Sequence, residues 1–436
     1  MNLSNISQSE STIQKACDRA VKKATWRFIP LLALAYFFNY LDRTSVGYAA
    51  LQMTDSLGLT AAQFGLGAGI MFVSYCLCEV PSNLAMYKFG ARIWMARIMI
   101  TWGIAAAAMA FVVGPYSFYV IRFLLGLAEA GFFPGVIFFL TIWFPIQYRT
   151  HILALFTIAT PISFLIGGPL SVSLLNLHGS MGLEGWQWLF LIEGLPACLL
   201  GIITLIILKD HPKDASWLSD EEKNALISSL ADKKKKGSQG HSFKHAVKDI
   251  RVWILGSITF SFTLGTYGIG IWLPQMLKAQ GIELSMIGWI TTIPYFFSTV
   301  GLLLWAKYVD RTGKPIRNLV IALILAGLAC LISVNITGLI PGLIGVSIAL
   351  VGTISAKTIF YTLPGKFLSG EAAAGGIALI NSIGAFGGFV GPYLMGYLKT
   401  ATGSFISGFM AMACILFVAA FMALILHIFM QRKEQS

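Results

Sequence analysis

Seven ionisable side chains stand where the surrounding sequence is apolar: Asp42, Arg43, Glu79, Arg122, Glu129, Glu193 and Lys357. A charge at the centre of a bilayer costs at least about 2.5–3.5 kcal/mol, so those that persist are paired or functional. Arginine keeps its proton and offers a planar fork that fits a carboxylate. An acid beside it holds a proton more or less tightly according to whether that arginine is otherwise engaged. A ligand carboxylate that captures the arginine leaves the acid free to protonate, and anion binding becomes coupled to proton binding. Asp42 with Arg43, and Arg122 with Glu129, have the types for this chemistry. The competing reading is a static salt-bridge network that clamps two helices together. Two acids at different depths exceed what one immobile clamp needs.

The elements that position these residues follow from composition. The chain has 436 residues, of which 56% are hydrophobic and only 11% charged. Its mean hydropathy is +0.76. A soluble protein is nearer a quarter charged, so this chain cannot face water all round. That excludes a cytosolic enzyme, a nucleic-acid binder and a secreted disulfide scaffold. Apolar runs of spanning length cover 28–48, 64–86, 93–113, 116–141, 152–176, 188–208, 253–277, 286–306, 318–336, 341–363, 374–398 and 405–429. Only helices can serve, because a spanning segment must satisfy its own backbone. Of the 31 Lys and Arg, 26 fall on one side of these runs and two, Lys278 and Lys399, on the other. The basic side is cytoplasmic, so both termini are expected there. The net charge of +12 is therefore a topology signal and not evidence of an anionic partner. Cys76, Cys78, Cys198, Cys330 and Cys414 lie in apolar runs and Cys17 in the polar N-terminal stretch, which is no disulfide framework. The segment before Trp26 lacks a short apolar stretch and a cleavage site, so no signal peptide is expected.

The long polar stretch 209–252 divides the chain into six runs and six. Its Ser219-Asp220-Glu221-Glu222 run reads as a capped helix start, followed by a basic cluster, Lys233 to Lys236. It is read as a solvated tether near anionic lipid. Tyr87 to Arg92 and Val309 to Lys314 echo each other half a chain apart, which points to parallel halves with a ligand held between them. At a rise of about 1.5 Å per residue, Asp42 and Arg43 lie roughly 21 Å in from the cytoplasm, Arg122 about 9 Å below the outer surface, and Glu129 near the midplane. Asn381 lies roughly 10 Å from the cytoplasmic edge, where its amide meets either a ligand or a neighbouring helix. Lys357 is either a second anion-binding point or a side chain that snorkels to the cytoplasm; both readings stay open. Tyr267, Trp272, Phe360 and Tyr361 stand where aromatics wall a site or pack helices. Glu79 and Glu193 are read as structurally paired. The glycines of span eleven and Gly167-Gly168-Pro169 in span five let helices approach and slide. No Walker-type loop and no His/Cys metal spacing is present, so neither ATP hydrolysis nor a metal site is expected.

Asp310-Arg311-Thr312-Gly313-Lys314 resembles the cytoplasmic loop signature of the major facilitator superfamily. The first-half copy keeps Lys88, Gly90 and Arg92 but has Tyr87 in place of its Asp. Arg122-Phe-Leu-Leu-Gly-Leu-Ala-Glu-Ala-Gly-Phe-Phe-Pro-Gly135 resembles that superfamily's proton-linked motif. Together with Asn39-Tyr-Leu-Asp-Arg43 it resembles the anion:cation symporter family. Glu79-Val-Pro-Ser-Asn83, Trp188-Leu-Phe-Leu-Ile-Glu-Gly-Leu-Pro196 and Gly376-Ile-Ala-Leu-Ile-Asn-Ser-Ile-Gly384 look most like its bacterial tartrate, phthalate and sugar-acid branch.

The resemblance implies an all-α integral membrane protein of twelve transmembrane helices in two six-helix halves. The expected divisions are a cytoplasmic N-terminal segment 1–27, a first half 28–208, a central loop 209–252, a second half 253–429 and a tail 430–436. It implies that Asp42 and Glu129 carry the coupled protons, that Arg43 holds the substrate carboxylate, that Arg122 pairs with Asp42, and that Asn381 contacts substrate. Tyr40 from the same motif, Lys357, Tyr267 and Tyr361 complete the candidate binding residues, and Asp310, Arg311, Gly313, Gly90 and Arg92 the gating loops. Two departures bear on substrate preference: span seven lacks an Arg, and Lys357 stands where a neutral residue is expected. The expected function is proton-coupled import of a small organic carboxylate across a bacterial inner membrane by a monomer. No enzymatic activity, no cofactor besides the coupling proton and no nucleic acid are expected. An exchanger indifferent to protons and a non-transporting sensor of the same ligands are the alternatives.

Overall fold

A segment in hydrocarbon must pair every backbone N–H and C=O internally, and each apolar run is accordingly helical. The computed structural model describes residues 3–231, 248–335, 338–363 and 370–434. The expected basic cluster Lys233 to Lys236 and Lys366 lie outside them. The N-terminal set is α1 (Leu3–Ser56), α2 (Ala61–Phe89), α3 (Ala91–Ala108), α4 (Pro115–Glu129), α5 (Phe132–Trp143), α6 (Ile146–Thr157), α7 (Ala159–Leu175) and α8 (Gly185–Ile207). The short α9 (Asp220–Ala231) leads to α10 (Ile250–Ala279), α11 (Leu284–Thr312), α12 (Pro315–Asn335), α13 (Leu339–Phe360), α14 (Gly370–Thr402) and α15 (Ile406–Glu434). Among the described residues ten helical segments are long and apolar enough to cross a membrane, counting Pro115–Trp143 and Ile146–Leu175 as one each. The remaining long helices, α1 and α14, carry Asp42, Arg43 and Asn381 of the candidate site.

Two of the runs are not the unbroken helices expected. Run four breaks directly after Glu129, where Ala130 is extended and Gly131 adopts φ 92°, a left-handed conformation that favours glycine. Run five is interrupted at Ile158, between α6 and α7. Run one continues well before residue 28, because its polar N-terminal turns pack on α6 and α9. The expected cap of the loop helix is present: Glu222 N donates to Ser219 Oγ at 3.2 Å and Ser219 N to Glu222 Oε2 at 3.0 Å.

The N- and C-terminal sets meet along α1 with α10, α2 with α14, and α7 with α11. They are drawn tight at the end that bears Lys278 and Lys399. Lys278 Nζ donates to Leu51 O at 2.6 Å and to Asp55 Oδ2 at 2.9 Å. Ala62 N donates to Thr400 Oγ1 at 2.9 Å, and Tyr48 OH to Thr291 Oγ1 at 3.0 Å. Glycine makes that approach possible. A Cβ on Gly65 would stand 2.4 Å from Pro392 O, and one on Gly168 would stand 2.5 Å from Gly288 O. Towards the other end the last hydrogen bond from α2 to α14 among the described residues is Cys76 Sγ to Ser382 O at 3.6 Å. Beyond it Leu77, Val80, Leu84 and Tyr87 are exposed. The two sets are thus closed at one end and parted at the other.

Candidate functional site

The polar residues of α1, α2, α4, α10, α13 and α14 converge halfway along the bundle. Arg43 is the hub. Its Nε donates to Glu129 Oε1 at 2.6 Å, and its Nη2 forms an ion pair with the same oxygen. Glu129 is fully buried, while the Arg43 side chain keeps 13% of its surface exposed. The helix break after Glu129 delivers its carboxylate to Arg43 at the last turn of α4. Glu129 Oε2 has no hydrogen-bond partner. Arg43 also donates from Nη1 to Tyr267 OH at 3.5 Å, and its guanidinium lies 4.9 Å from the Tyr75 ring centroid and 5.7 Å from that of Tyr40. Two aromatic faces, a phenol hydroxyl and one carboxylate therefore hold a guanidinium that is still partly exposed.

Asp42, one residue earlier, points into the N-terminal set. Trp102 Nε1 donates to its Oδ2, and its Oδ1 has no partner. The pairing with Arg122 that the family resemblance implies is not formed. Arg122 is fully buried and donates instead from Nε to Gly67 O at 3.3 Å and from Nη2 to Ala68 O at 2.9 Å, with Nη1 unpartnered. It remains within electrostatic reach of Asp42 and Glu129. The physical reason is competition, since helix α2 presents two carbonyls that a planar fork satisfies together. The expected structural pairing of Glu79 and Glu193 is also absent: among the described residues neither has a cation within ion-pair distance. Glu193 is buried, accepts from Ser171 Oγ at 2.8 Å and lies in reach of Asp42. Glu79 is half-buried and in reach of Arg43.

Across the opening, Lys357 near the end of α13 is exposed within electrostatic reach of Tyr40, Tyr361, Tyr267 and Arg43. Tyr361 OH donates to Asn381 Oδ1 at 3.3 Å. Of the four aromatics singled out, Tyr267 and Tyr361 stand at this chamber. Trp272 is buried in the tight end, donating to Pro392 O at 3.0 Å, and Phe360 packs on Phe262. Sequence reasoning missed Trp102 and Tyr75. Tyr75 is four residues before Glu79, hence on the same helix face, which was a usable signal. An isolated Trp in an apolar run carries none.

The two loops expected to gate differ from each other. Gly90, with φ 89°, separates α2 from α3, and Arg92 N donates to Asp210 Oδ1 at 2.9 Å while Arg92 Nε donates to Leu205 O at 2.7 Å. Asp210, from the chain after α8, is thus the acid that meets this loop. Asp310 and Arg311 are exposed, and Gly313 ends α11 in the left-handed region at φ 63°.

A bundle of two helix sets closed at one end, with buried acids and arginines at its waist, is the architecture of a membrane transport protein. The chain belongs to the Major Facilitator Superfamily, whose model matches residues 32–282 and 255–435. It is 47% identical over 385 residues to a protein named "Putative tartrate transporter" from Agrobacterium vitis, a match covering 88% of this chain and 86% of that one. It is 42% identical over 385 residues to a "Quinolone resistance transporter" from Acinetobacter baumannii, covering 88% and 89%. Among solved structures, a bacterial homologue of the human lysosomal transporter Spinster, in an inward-facing and occupied conformation, superposes with a TM-score of 0.72 at 17% identity, covering 92% of this chain and 96% of that one. That last likeness concerns the fold.

Proposed function

We propose that the chain is a proton-coupled symporter that carries a small organic carboxylate, of the tartrate or sugar-acid kind, into the cell. The observation that carries this is the Arg43–Glu129 pair, placed where a ligand carboxylate and a proton compete for the same two groups. With Glu129 protonated, Arg43 is released to a ligand carboxylate. With Glu129 ionised, Arg43 is recaptured and the ligand is expelled. Asp42, bonded by Trp102 and by no cation, is the second proton carrier. The tartrate name of the Agrobacterium relative supports the substrate class.

In this reading α1 and α14 also cross the bilayer, giving twelve spans in two six-helix halves, 28–208 and 253–429. The excess of Lys and Arg places both termini in the cytoplasm of a bacterial inner-membrane protein. The tight end then faces outward and the parted end inward. The protein works as a monomer with the proton as its coupling ion. Outside, Asp42 and Glu129 load protons and Arg43 takes the anion; the halves rock; inside, the protons and the anion leave.

Uptake of labelled tartrate, sugar acids and aromatic acids into proteoliposomes, with and without an inward proton gradient, tests this. Gradient-driven accumulation is expected. Exchange that ignores the gradient would make the protein an antiporter, and the quinolone-resistance name of the second relative makes efflux of the same compounds the other result to look for.

A further inference from the structure

Lys357 stands in the last turn of α13 and has no acid within ion-pair distance among the described residues. A side chain that snorkels would carry its ammonium away from the middle of the bundle. This one stays in electrostatic reach of Arg43, Tyr40, Tyr267 and Tyr361. The groups around it are phenols and another cation, so nothing described there neutralises it. Beside it, four residues on and so on the same helix face, the Tyr361 hydroxyl donates to Asn381 Oδ1, and the amide group of Asn381 has donors of its own to offer a ligand. Once Glu129 is protonated, two cations face one chamber, and among the described residues the half-buried Glu79 is the other acid in reach of Arg43. Like charges in a confined, partly desolvated space repel, and a single carboxylate on Arg43 relieves half of that.

Resting on the carboxylate reading above, we propose that Lys357, with Asn381, binds a second carboxylate, so that the transporter selects dicarboxylates whose two ends bridge Arg43 and Lys357. Lys357 is a compact point charge on a flexible stem, which accepts the second carboxylate without fixing the length of the molecule to a single value. The expected penalty for a ligand that lacks the second charge is about 10- to 100-fold in affinity, the range for losing a charged hydrogen-bond partner.

The test compares diacids with their own monoamides, which keep size and shape and remove one charge. Tartrate, succinate and phthalate and the monoamide of each are titrated against the purified full-length protein, with binding read from intrinsic tryptophan fluorescence. The wild type is expected to prefer at least one diacid over its monoamide by about 10-fold or more. Lys357→Met should erase that preference by weakening the diacid and leaving the monoamide within about 3-fold, and Lys357→Arg should restore it. Equal weakening of diacid and monoamide by Lys357→Met, or a wild type indifferent to the second charge, overturns the proposal while leaving carboxylate transport standing. A wild type that binds none of the six compounds overturns this proposal, and one that also fails to bind sugar acids removes the carboxylate reading itself. Thermal unfolding of each variant in the same detergent separates a binding effect from a folding defect.

Discussion

Glu129→Gln is the substitution that bears most directly on coupling. It keeps the shape of the side chain at the end of α4 and removes its charge. In the wild type Glu129 Oε1 receives two donors from Arg43, one of them at 2.6 Å, and the carboxylate is fully buried. A charge-assisted bond contributes about 1.5–3 kcal/mol and a neutral one about 1 kcal/mol, so the amide holds Arg43 roughly 1–2 kcal/mol less tightly. A ligand carboxylate displaces the amide more easily by the same amount, about 5- to 30-fold in affinity at alkaline pH. The pH profile is the sharper readout. If binding requires Glu129 to take up a proton, the wild-type Kd rises with pH by up to about tenfold per unit for that proton. Gln takes up none, so the profile flattens by one proton and settles at the wild type's acid-side affinity. Titration calorimetry from about pH 5.5 to 8.5, in buffers of different ionisation enthalpy, counts the protons directly. In proteoliposomes the variant should exchange substrate yet fail to accumulate it on a proton gradient. An unchanged pH slope, or normal accumulation, would refute the role given to Glu129.

Three further outcomes are expected. Gly65→Ala puts a methyl 2.4 Å from the backbone carbonyl of Pro392, which cannot move aside as a side chain can. The cost, about 1–3 kcal/mol, falls on the closed end alone, so distances between spin labels on α2 and α14 near that end should shift to a longer population by about 5- to 150-fold. Arg122→Lys loses the fork that serves Gly67 O and Ala68 O together and should lower stability by about 1–3 kcal/mol with substrate affinity unchanged. Native stability with lost binding would instead put Arg122 on the substrate. Glu222, on α9, would have its carboxyl raised by burial, but the hydrogen bond and charge of Lys23, helped by Ser219 and Arg19, outweigh this and hold it below its ordinary value. Its folded value being depressed, its contribution is complete above the unfolded value and is lost as pH falls through the folded one. Hydrogen exchange of α9 should therefore rise in acid, and Glu222→Gln should show the same rise at neutral pH.

The fold was legible because hydrocarbon leaves a chain so few options. Apolar runs, their lengths and the asymmetry of Lys and Arg follow from solvation energies that act on each segment separately, and they can be counted along one sequence. The candidates for the site were legible for the same reason: Asp42, Arg43, Glu129 and Lys357 each announce themselves by costing energy where they stand. What could not be read was who pairs with whom, because that is decided by geometry between segments. Arg122 reaches for α2 carbonyls and not for Asp42. Asp42 finds the indole of Trp102, which looks like any core aromatic in sequence. Glu129 meets Arg43 where a break in the helix ends α4, and that break was hidden inside an apolar run. The consequence is functional. Two adjacent residues of α1 face different environments, Arg43 towards the opening and Asp42 into the N-terminal set. A proton on Glu129 therefore changes what the opening offers to an anion, while a proton on Asp42 changes only the interior of one half. In the reading proposed here, the first controls binding and the second acts on the rocking of the halves.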